Sequence, residues 1–159
     1  MHLRGIVAED FVNYKKPSMF LITPKCNWKC CIEKGLDISI CQNNSLVNTE
    51  IKWFDDNKIC DLYMSNPITK AIVFGGLEPF EEPIELINFI EYFRRFSDDD
   101  IVIYTGYYEK EISCYINELK RYSNIIIKFG RYAPGHEPHY DEVLGVNLAS
   151  MNQYAKKIS

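Results

Sequence analysis

The chain has 159 residues, of which 47% are hydrophobic and 25% charged, as expected of a globular protein large enough for one core. Its net charge is −4 and its lysines and arginines are scattered, so nucleic acid is not an expected partner. Neither a signal peptide nor an apolar run of about 18 residues is present, which predicts a cytoplasmic protein without a membrane span.

The chain alternates between β-rich runs and segments of helical period. Short turns between them predict right-handed βαβ units, an α/β fold and a mostly parallel sheet. We expect a single domain over 1–159, with a cysteine loop at 24–44 and an irregular last segment at about 130–159 that wraps over the site. The predicted elements are a strand at 18–23, a helix at 50–64 with Ile51, Phe54, Ile59 and Leu62 on one stripe, a strand at 70–76, a helix at 81–96, a strand at 101–107, a helix at 108–122 and a strand at 124–130.

Four of the six cysteines, Cys26, Cys30, Cys31 and Cys41, fall within sixteen positions. Because cytosolic thiols stay reduced, a metal site is a better interpretation than a disulfide. Structural zinc sites usually combine two C-x₂-C-like pairs, whereas this chain has one C-x₃-C. Adjacent thiolates point in different directions, which indicates three ligands rather than four. Two interpretations therefore remain. One is a zinc site with four cysteine ligands, and the other is an iron–sulfur cluster with three cysteine ligands and one iron without a protein ligand.

Glycines follow two of the later predicted strands, as Gly75-Gly76 and as Gly106 after Thr105. The cysteine loop also follows a strand. Since loops beyond the carboxyl ends of parallel strands share one edge of the sheet, the three segments are expected to converge on one ligand site.

The cysteines and the segment "GGLEP" (75–79) together resemble the radical S-adenosylmethionine enzymes, whose fold is a small partial (βα) barrel. The family's cysteine pattern is C-x₃-C-x₂-C, and here Glu33 stands where the third cysteine would fall. Either Cys41 or Cys31 takes that place, and "ICQN" favours Cys41 because it resembles the family's apolar-Cys-x-Asn ending. Leu77 is inserted into the family's Gly-Gly-Glu-Pro motif.

Within that family the chain most resembles the activating enzymes of anaerobic, class III ribonucleotide reductase. The resemblance covers most of the chain. It is carried by "DIVIYTGYYEKEI" (100–112), "NIIIKFGRY" (124–132) and "NLASMNQ" (147–153).

The resemblance implies a [4Fe–4S] cluster on Cys26, Cys30 and Cys41, whose free iron binds S-adenosylmethionine. An external donor such as flavodoxin or ferredoxin reduces the cluster, and the cleaved ligand gives a 5′-deoxyadenosyl radical. That radical takes a hydrogen from a backbone glycine of anaerobic ribonucleotide reductase. The residues implied to contact S-adenosylmethionine are Ile40, Gln42, Gly75, Gly76, Glu78, Thr105, Gly106 and Asn152.

Two other functions stay open. One is a radical enzyme acting on a small molecule or another partner, and the other is a non-catalytic zinc scaffold. Cys60 and Cys114 are expected to be buried spectators in helices. His136 and His139, in a Pro/Gly-rich loop, are expected to be surface or lid residues.

Overall fold

The computed structural model describes all 159 residues and contains ten strands and four α-helices. The strands are β1 (His2–Leu3), β2 (Gly5–Asp10), β3 (Ser18–Ile22), β4 (Lys52–Trp53), β5 (Ala71–Gly75), β6 (Asp100–Tyr104), β7 (Ile125–Phe129), β8 (His139–Asp141), β9 (Val146–Leu148) and β10 (Tyr154–Lys157). The helices are α1 (Lys29–Ile32), α2 (Asp56–Ser65), α3 (Pro83–Phe93) and α4 (Ser113–Leu119), and 3₁₀ turns lie at Ile38–Ile40, Asn44–Asn48 and Pro79–Glu81.

A six-stranded sheet in the order β10-β7-β6-β5-β3-β2 forms the centre of the molecule. Its four inner strands are parallel, whereas the edge strands β2 and β10 run antiparallel to their neighbours. The predicted α/β class and mostly parallel sheet are confirmed, and all four predicted strands are present. β3 pairs with β5, β5 with β6 and β6 with β7, so the parallel strands cross the sheet in one direction in chain order.

The helices pack on one face of this sheet. Side chains of α2, α3 and α4 join the main core, among them Ile59, Phe89 and Ile116. The other face carries a smaller core, in which Val73 packs with residues outside the helices such as Leu148. Alternate strand residues point to opposite faces, and both faces are covered, so every residue of β5 is buried.

The predicted helix at 50–64 is wrong in its first half. Lys52–Trp53 forms a strand with His2–Leu3, and α2 begins only at Asp56. Asp55 sets that start, because its side chain accepts a hydrogen bond of 2.9 Å from the backbone N–H of Asn57. The stripe is also wrong in part, since Ile51 and Leu62 are exposed whereas Ile59 is buried.

Two further expectations need correction. The segment at 130–159 is not wholly irregular, because it forms the hairpin of β8 and β9 and the edge strand β10. Cys60 is buried as expected, but Cys114 is exposed on α4. No helix has both the length and the apolar character needed to cross a membrane.

Candidate functional site

The segments after the parallel strands meet at one edge of the sheet. The residues that end β3 and β5, Ile22 and Gly75, are register partners. Beyond them, Thr23 donates to the carbonyl of Gly75 from both its backbone N–H (2.9 Å) and its hydroxyl (3.0 Å). This edge therefore brings the cysteine loop next to the glycine pair, as the sequence predicted.

Three cysteines line one cavity of about 470 Å³ at this edge, namely Cys26, Cys30 and Cys41. Gly76, Glu78, Thr105 and Gly106 line the same cavity. All six cysteines are free thiols.

Cys31 lies apart from that cavity. It is buried and faces an adjoining cavity of about 340 Å³, which Cys30 and Cys41 also line. The geometry therefore groups Cys41, rather than Cys31, with the C-x₃-C pair.

The thiols of the pair are shielded from water. Burial raises the pKa of Cys26 to about 12, although the backbone N–H of Trp28 donates to its Sγ at 3.3 Å. Burial also raises the pKa of Cys30. Neutral thiols of this kind become thiolates when a metal replaces the proton.

At both glycines, neighbouring side chains occupy the space that a Cβ would need. Gly76 has φ 83°, and a Cβ there would lie 2.9 Å from Cγ2 of Ile22, so only glycine suits the position. A Cβ at Gly106 would lie 2.7 Å from Sγ of Cys30, within the space that the thiol occupies.

Glu78 joins two strand ends through one buried carboxylate. Its oxygens accept hydrogen bonds from the Thr105 hydroxyl (2.7 Å), the Gly106 N–H (2.8 Å) and the Phe80 N–H (3.1 Å). Burial raises the pKa of Glu78 to about 7, although these hydrogen bonds oppose the shift. The side chain thus caps the turn at Pro79–Glu81 and orients the backbone N–H of Gly106 beside the cysteines.

Lys128 is a member of the site that the sequence did not indicate. It lines both cavities and is buried, and its ammonium donates to the carbonyls of Gly130 (2.9 Å) and Thr105 (3.4 Å). Burial lowers its pKa to about 8. Only its place in an otherwise apolar strand, "IIIKF", marks it in the sequence.

Arg131 ties the cysteine helix to the sheet. Its buried guanidinium donates to both carboxylate oxygens of Glu111 (2.6 and 2.8 Å), and this contact raises its pKa. Its Nε lies 2.8 Å from Oε2 of Glu33. Glu33, which stands where the resembled family has its third cysteine, is thus paired with an arginine.

The remaining predicted contacts divide into two groups. Ile40 and Gln42 line the adjoining cavity. Gly75 and Asn152 line neither cavity. The carbonyl of Gly75 is taken by Thr23, and the Asn152 amide donates to the Arg131 carbonyl at 2.7 Å.

The thiols on this cavity are those of Cys26, Cys30 and Cys41. No three His, Cys, Asp or Glu side chains lie close enough together to hold a single metal ion. Thiolates on a four-iron cluster each bind a different iron, so they spread around a cavity rather than around one point. Cys26, Cys30 and Cys41 are partly buried free thiols around one cavity, and they fit that requirement.

No protein-family model, curated protein or solved structure matches this chain.

Proposed function

We propose that this chain is a small radical S-adenosylmethionine enzyme that activates a glycyl-radical partner. The observation that carries the proposal is the shared cavity of Cys26, Cys30 and Cys41 at the carboxyl edge of a parallel sheet. Strand order adds support, because a sheet wound in one direction with its helices on one face is what a partial (βα) barrel requires.

Different residues of the chain would bind the cluster and S-adenosylmethionine. Cys26, Cys30 and Cys41 would hold a [4Fe–4S] cluster, and Gly76 and Gly106 would border the S-adenosylmethionine beside it, since both line the same cavity. When bound, these cofactors supply the electron transfer and the carbon-centred radical that abstracts hydrogen. The protein holds the reactants in place and excludes water, so no acid–base residue is required.

Glu78 and Thr105 act as positioning residues in this scheme. Their 2.7 Å hydrogen bond joins the ends of β5 and β6, and Glu78 also fixes the N–H of Gly106. Ile40 and Gln42 add proposed contacts from the adjoining cavity. Gly75 and Asn152 line neither cavity, and they act indirectly, through the hydrogen bonds of the Gly75 carbonyl with Thr23 and of the Asn152 amide with the Arg131 carbonyl. Anaerobic ribonucleotide reductase is the proposed partner, and flavodoxin or ferredoxin the proposed donor.

Electron paramagnetic resonance of the reconstituted protein tests the proposal. The full chain is loaded anaerobically with iron and sulfide, reduced with dithionite and measured with and without S-adenosylmethionine. We expect a reduced [4Fe–4S] signal that changes when the ligand is added. A protein that retains zinc and gives no such signal would overturn the proposal and favour the zinc scaffold.

A matched pair of variants tests the third ligand. Cys41→Ser should lose most of the reconstituted iron, because it removes a thiolate from the shared cavity. Cys31→Ser should keep it, because Cys31 faces only the adjoining cavity. The reverse pattern of iron content would assign the ligand to Cys31.

A further inference from the structure

The turn between Cys26 and Cys30 has an unfavourable backbone conformation. Trp28, at its centre, has φ 59°, which lies in the left-handed region that residues other than glycine rarely adopt. The helix α1 that follows has only four residues, and the side chain of Trp28 does not cap its start with a hydrogen bond. Such a conformation persists only where surrounding contacts hold it, so this turn needs support from outside α1.

The carboxamide of Asn27 links this turn to another part of the sheet edge. Its Oδ1 accepts a hydrogen bond of 3.0 Å from the backbone N–H of Lys29, across Trp28. Its Nδ2 donates a hydrogen bond of 2.6 Å to the hydroxyl of Tyr107, in the loop after β6. Asn27 therefore closes the turn on one side and attaches it to Tyr107 on the other.

Glu81 fixes the direction of these hydrogen bonds. The Tyr107 hydroxyl lies 2.6 Å from Oε1 of Glu81, and an ionised carboxylate can only accept. The hydroxyl therefore donates to Glu81 and accepts from Asn27, so the carboxamide must turn its oxygen toward Lys29. Burial and the carboxylate of Glu81 raise the pKa of Tyr107, and the hydroxyl keeps its proton.

The ring of Tyr107 makes further contacts with the same turn. The ammonium of Lys29 lies 5.2 Å from the ring centroid, within the range of a cation–π interaction. Tyr107 also lines, with Cys26 and Cys30, a cavity of only about 10 Å³. Because so little space is left between them, Tyr107 packs close to the cysteine pair.

Tyr107 is itself held by two strand ends. Its backbone N–H donates to the hydroxyl of Thr105 at 3.0 Å, directly after β6. Its carbonyl accepts a hydrogen bond of 3.1 Å from the N–H of Gly130, directly after β7. The position of Tyr107 is therefore set by the sheet and not by the cysteine loop.

We propose that Tyr107 is a positioning residue, which acts through the carboxamide of Asn27 to hold Cys26 and Cys30 in the geometry that lets both thiolates bind one cluster. The part of this inference that concerns the cluster rests on the proposed function. The part that concerns the turn does not, because the chain alone forms these hydrogen bonds.

Hydrogen exchange of the metal-free full chain, followed by nuclear magnetic resonance, tests the effect on the turn. Tyr107→Phe keeps the ring beside Lys29 and removes only the hydroxyl, so the backbone amides of 28–32 should exchange about three- to tenfold faster. Tyr115→Phe is the control, because Tyr115 stacks on Phe80 and lines none of the cavities beside the cysteines. It should leave that exchange unchanged.

Iron release from the reconstituted chain tests the effect on the cluster. With an excess of an iron chelator under anaerobic conditions, Tyr107→Phe should lose iron about three- to tenfold faster than the natural chain. Its reduced electron paramagnetic resonance signal should also be broader, because a less firmly held turn gives Cys26 and Cys30 a wider range of positions. Tyr115→Phe should match the natural chain in both measurements.

A double variant shows whether Tyr107 acts through Asn27. Asn27→Ala removes both hydrogen bonds of the carboxamide and should speed iron release at least as much as Tyr107→Phe. Adding Tyr107→Phe to Asn27→Ala should then have little further effect, because the hydroxyl has already lost this partner. Fully additive effects would overturn the proposed action through Asn27.

The outcomes separate this inference from the proposed function. Unchanged exchange of 28–32 in Tyr107→Phe would overturn the inference, whether or not a cluster forms. Faster exchange with unchanged iron release and signal width would overturn the role of Tyr107 toward the cluster. If the natural chain forms no cluster, the proposed function fails, and faster exchange in metal-free Tyr107→Phe still supports the role of Tyr107 in the turn.

Discussion

At the scale of single residues, Gly106 is a position where a substitution tests steric contact alone, without strain in the backbone conformation. Its φ is not positive, so alanine is strained there only by contact with Sγ of Cys30 at 2.7 Å. We expect Gly106→Ala to cost about 1–3 kcal/mol of unfolding free energy and to weaken iron retention about tenfold. Urea denaturation and iron analysis after reconstitution measure the two effects.

Gly5→Ala is the matched control. A Cβ at Gly5 would meet Cδ1 of Ile22 at 3.5 Å, an ordinary contact, and Gly5 lies on an edge strand and lines neither cavity. Equal iron retention in the two alanine variants would show that the space beside Cys30 does not matter for the cluster.

The buried carboxylate of Glu78 predicts a pH-dependent stability. Its pKa in the folded chain, about 7, lies above the ordinary value of 4.5, so the folded state keeps a proton that the unfolded state has lost. The unfolding free energy should therefore fall as pH rises from about 4.5 to about 7, by on the order of 3 kcal/mol. Urea denaturation at a series of pH values measures this change.

Substitution of Glu78 isolates its contribution. Glu78→Gln should remove the fall between pH 4.5 and 7, whatever its effect on absolute stability, because the amide does not titrate. Glu137→Gln, at an exposed position in the loop before β8, should keep the slope of the natural chain. An unchanged slope in Glu78→Gln would contradict the assignment.

The sequence indicated some site residues and not others, for physical reasons. Cysteines and paired glycines are rare enough at strand ends to be noticed singly, and the structure gathers Cys26, Cys30, Cys41 and Gly76 as expected. Lys128 could not be found in this way, because a lysine in a strand is usually exposed and only the tertiary fold shows it buried.

At the scale of elements, Arg131 holds the short helix α1 against the loop after β6. Glu111 is partly buried and binds the guanidinium through two oxygens, which holds its own pKa well below the ordinary value. The side chain of Glu33 is 46% exposed. We expect Glu111→Gln to cost roughly 2–3 kcal/mol, since it leaves a buried charge poorly paired, and Glu33→Gln less than about 1 kcal/mol.

Denaturant midpoints of the two variants, with unchanged slopes, measure this difference. Equal losses would mean that solvent does not screen the pair with Glu33, and that both carboxylates contribute equally to the attachment of α1.

Long, strongly patterned elements were predictable and short ones were not. The strands β3, β5, β6 and β7 are mostly apolar runs. Three of them were expected within one residue of where they lie, whereas the prediction for β6 extended three residues beyond its end at Tyr104. The strand β10, "YAKK", has polar, exposed positions and exists because β7 offers it a free edge. The local sequence of a short polar strand does not indicate which strand it will pair with.

At the scale of the whole molecule, stability is unevenly distributed. The parallel strands contribute to both cores, whereas no residue from Ile32 to Lys58 is buried. That stretch holds Cys41 and the 3₁₀ turns at Ile38–Ile40 and Asn44–Asn48. The proposed third ligand thus lies on the part of the chain with the fewest contacts to keep it in place.

Ligand binding should therefore stabilise this stretch more than any other part of the chain. Local opening is easiest where few apolar contacts form, so amides from 32 to 50 should exchange with solvent much faster than those of β5 and β6 when no metal is bound. A cluster that joins Cys41 to Cys26 and Cys30 should slow exchange across the stretch, because opening would then require loss of a ligand. Hydrogen exchange measured by mass spectrometry, before and after anaerobic reconstitution, tests this expectation. Cys41→Ser should abolish the added protection, whereas protection that persists in that variant would show that Cys41 is not what anchors the loop.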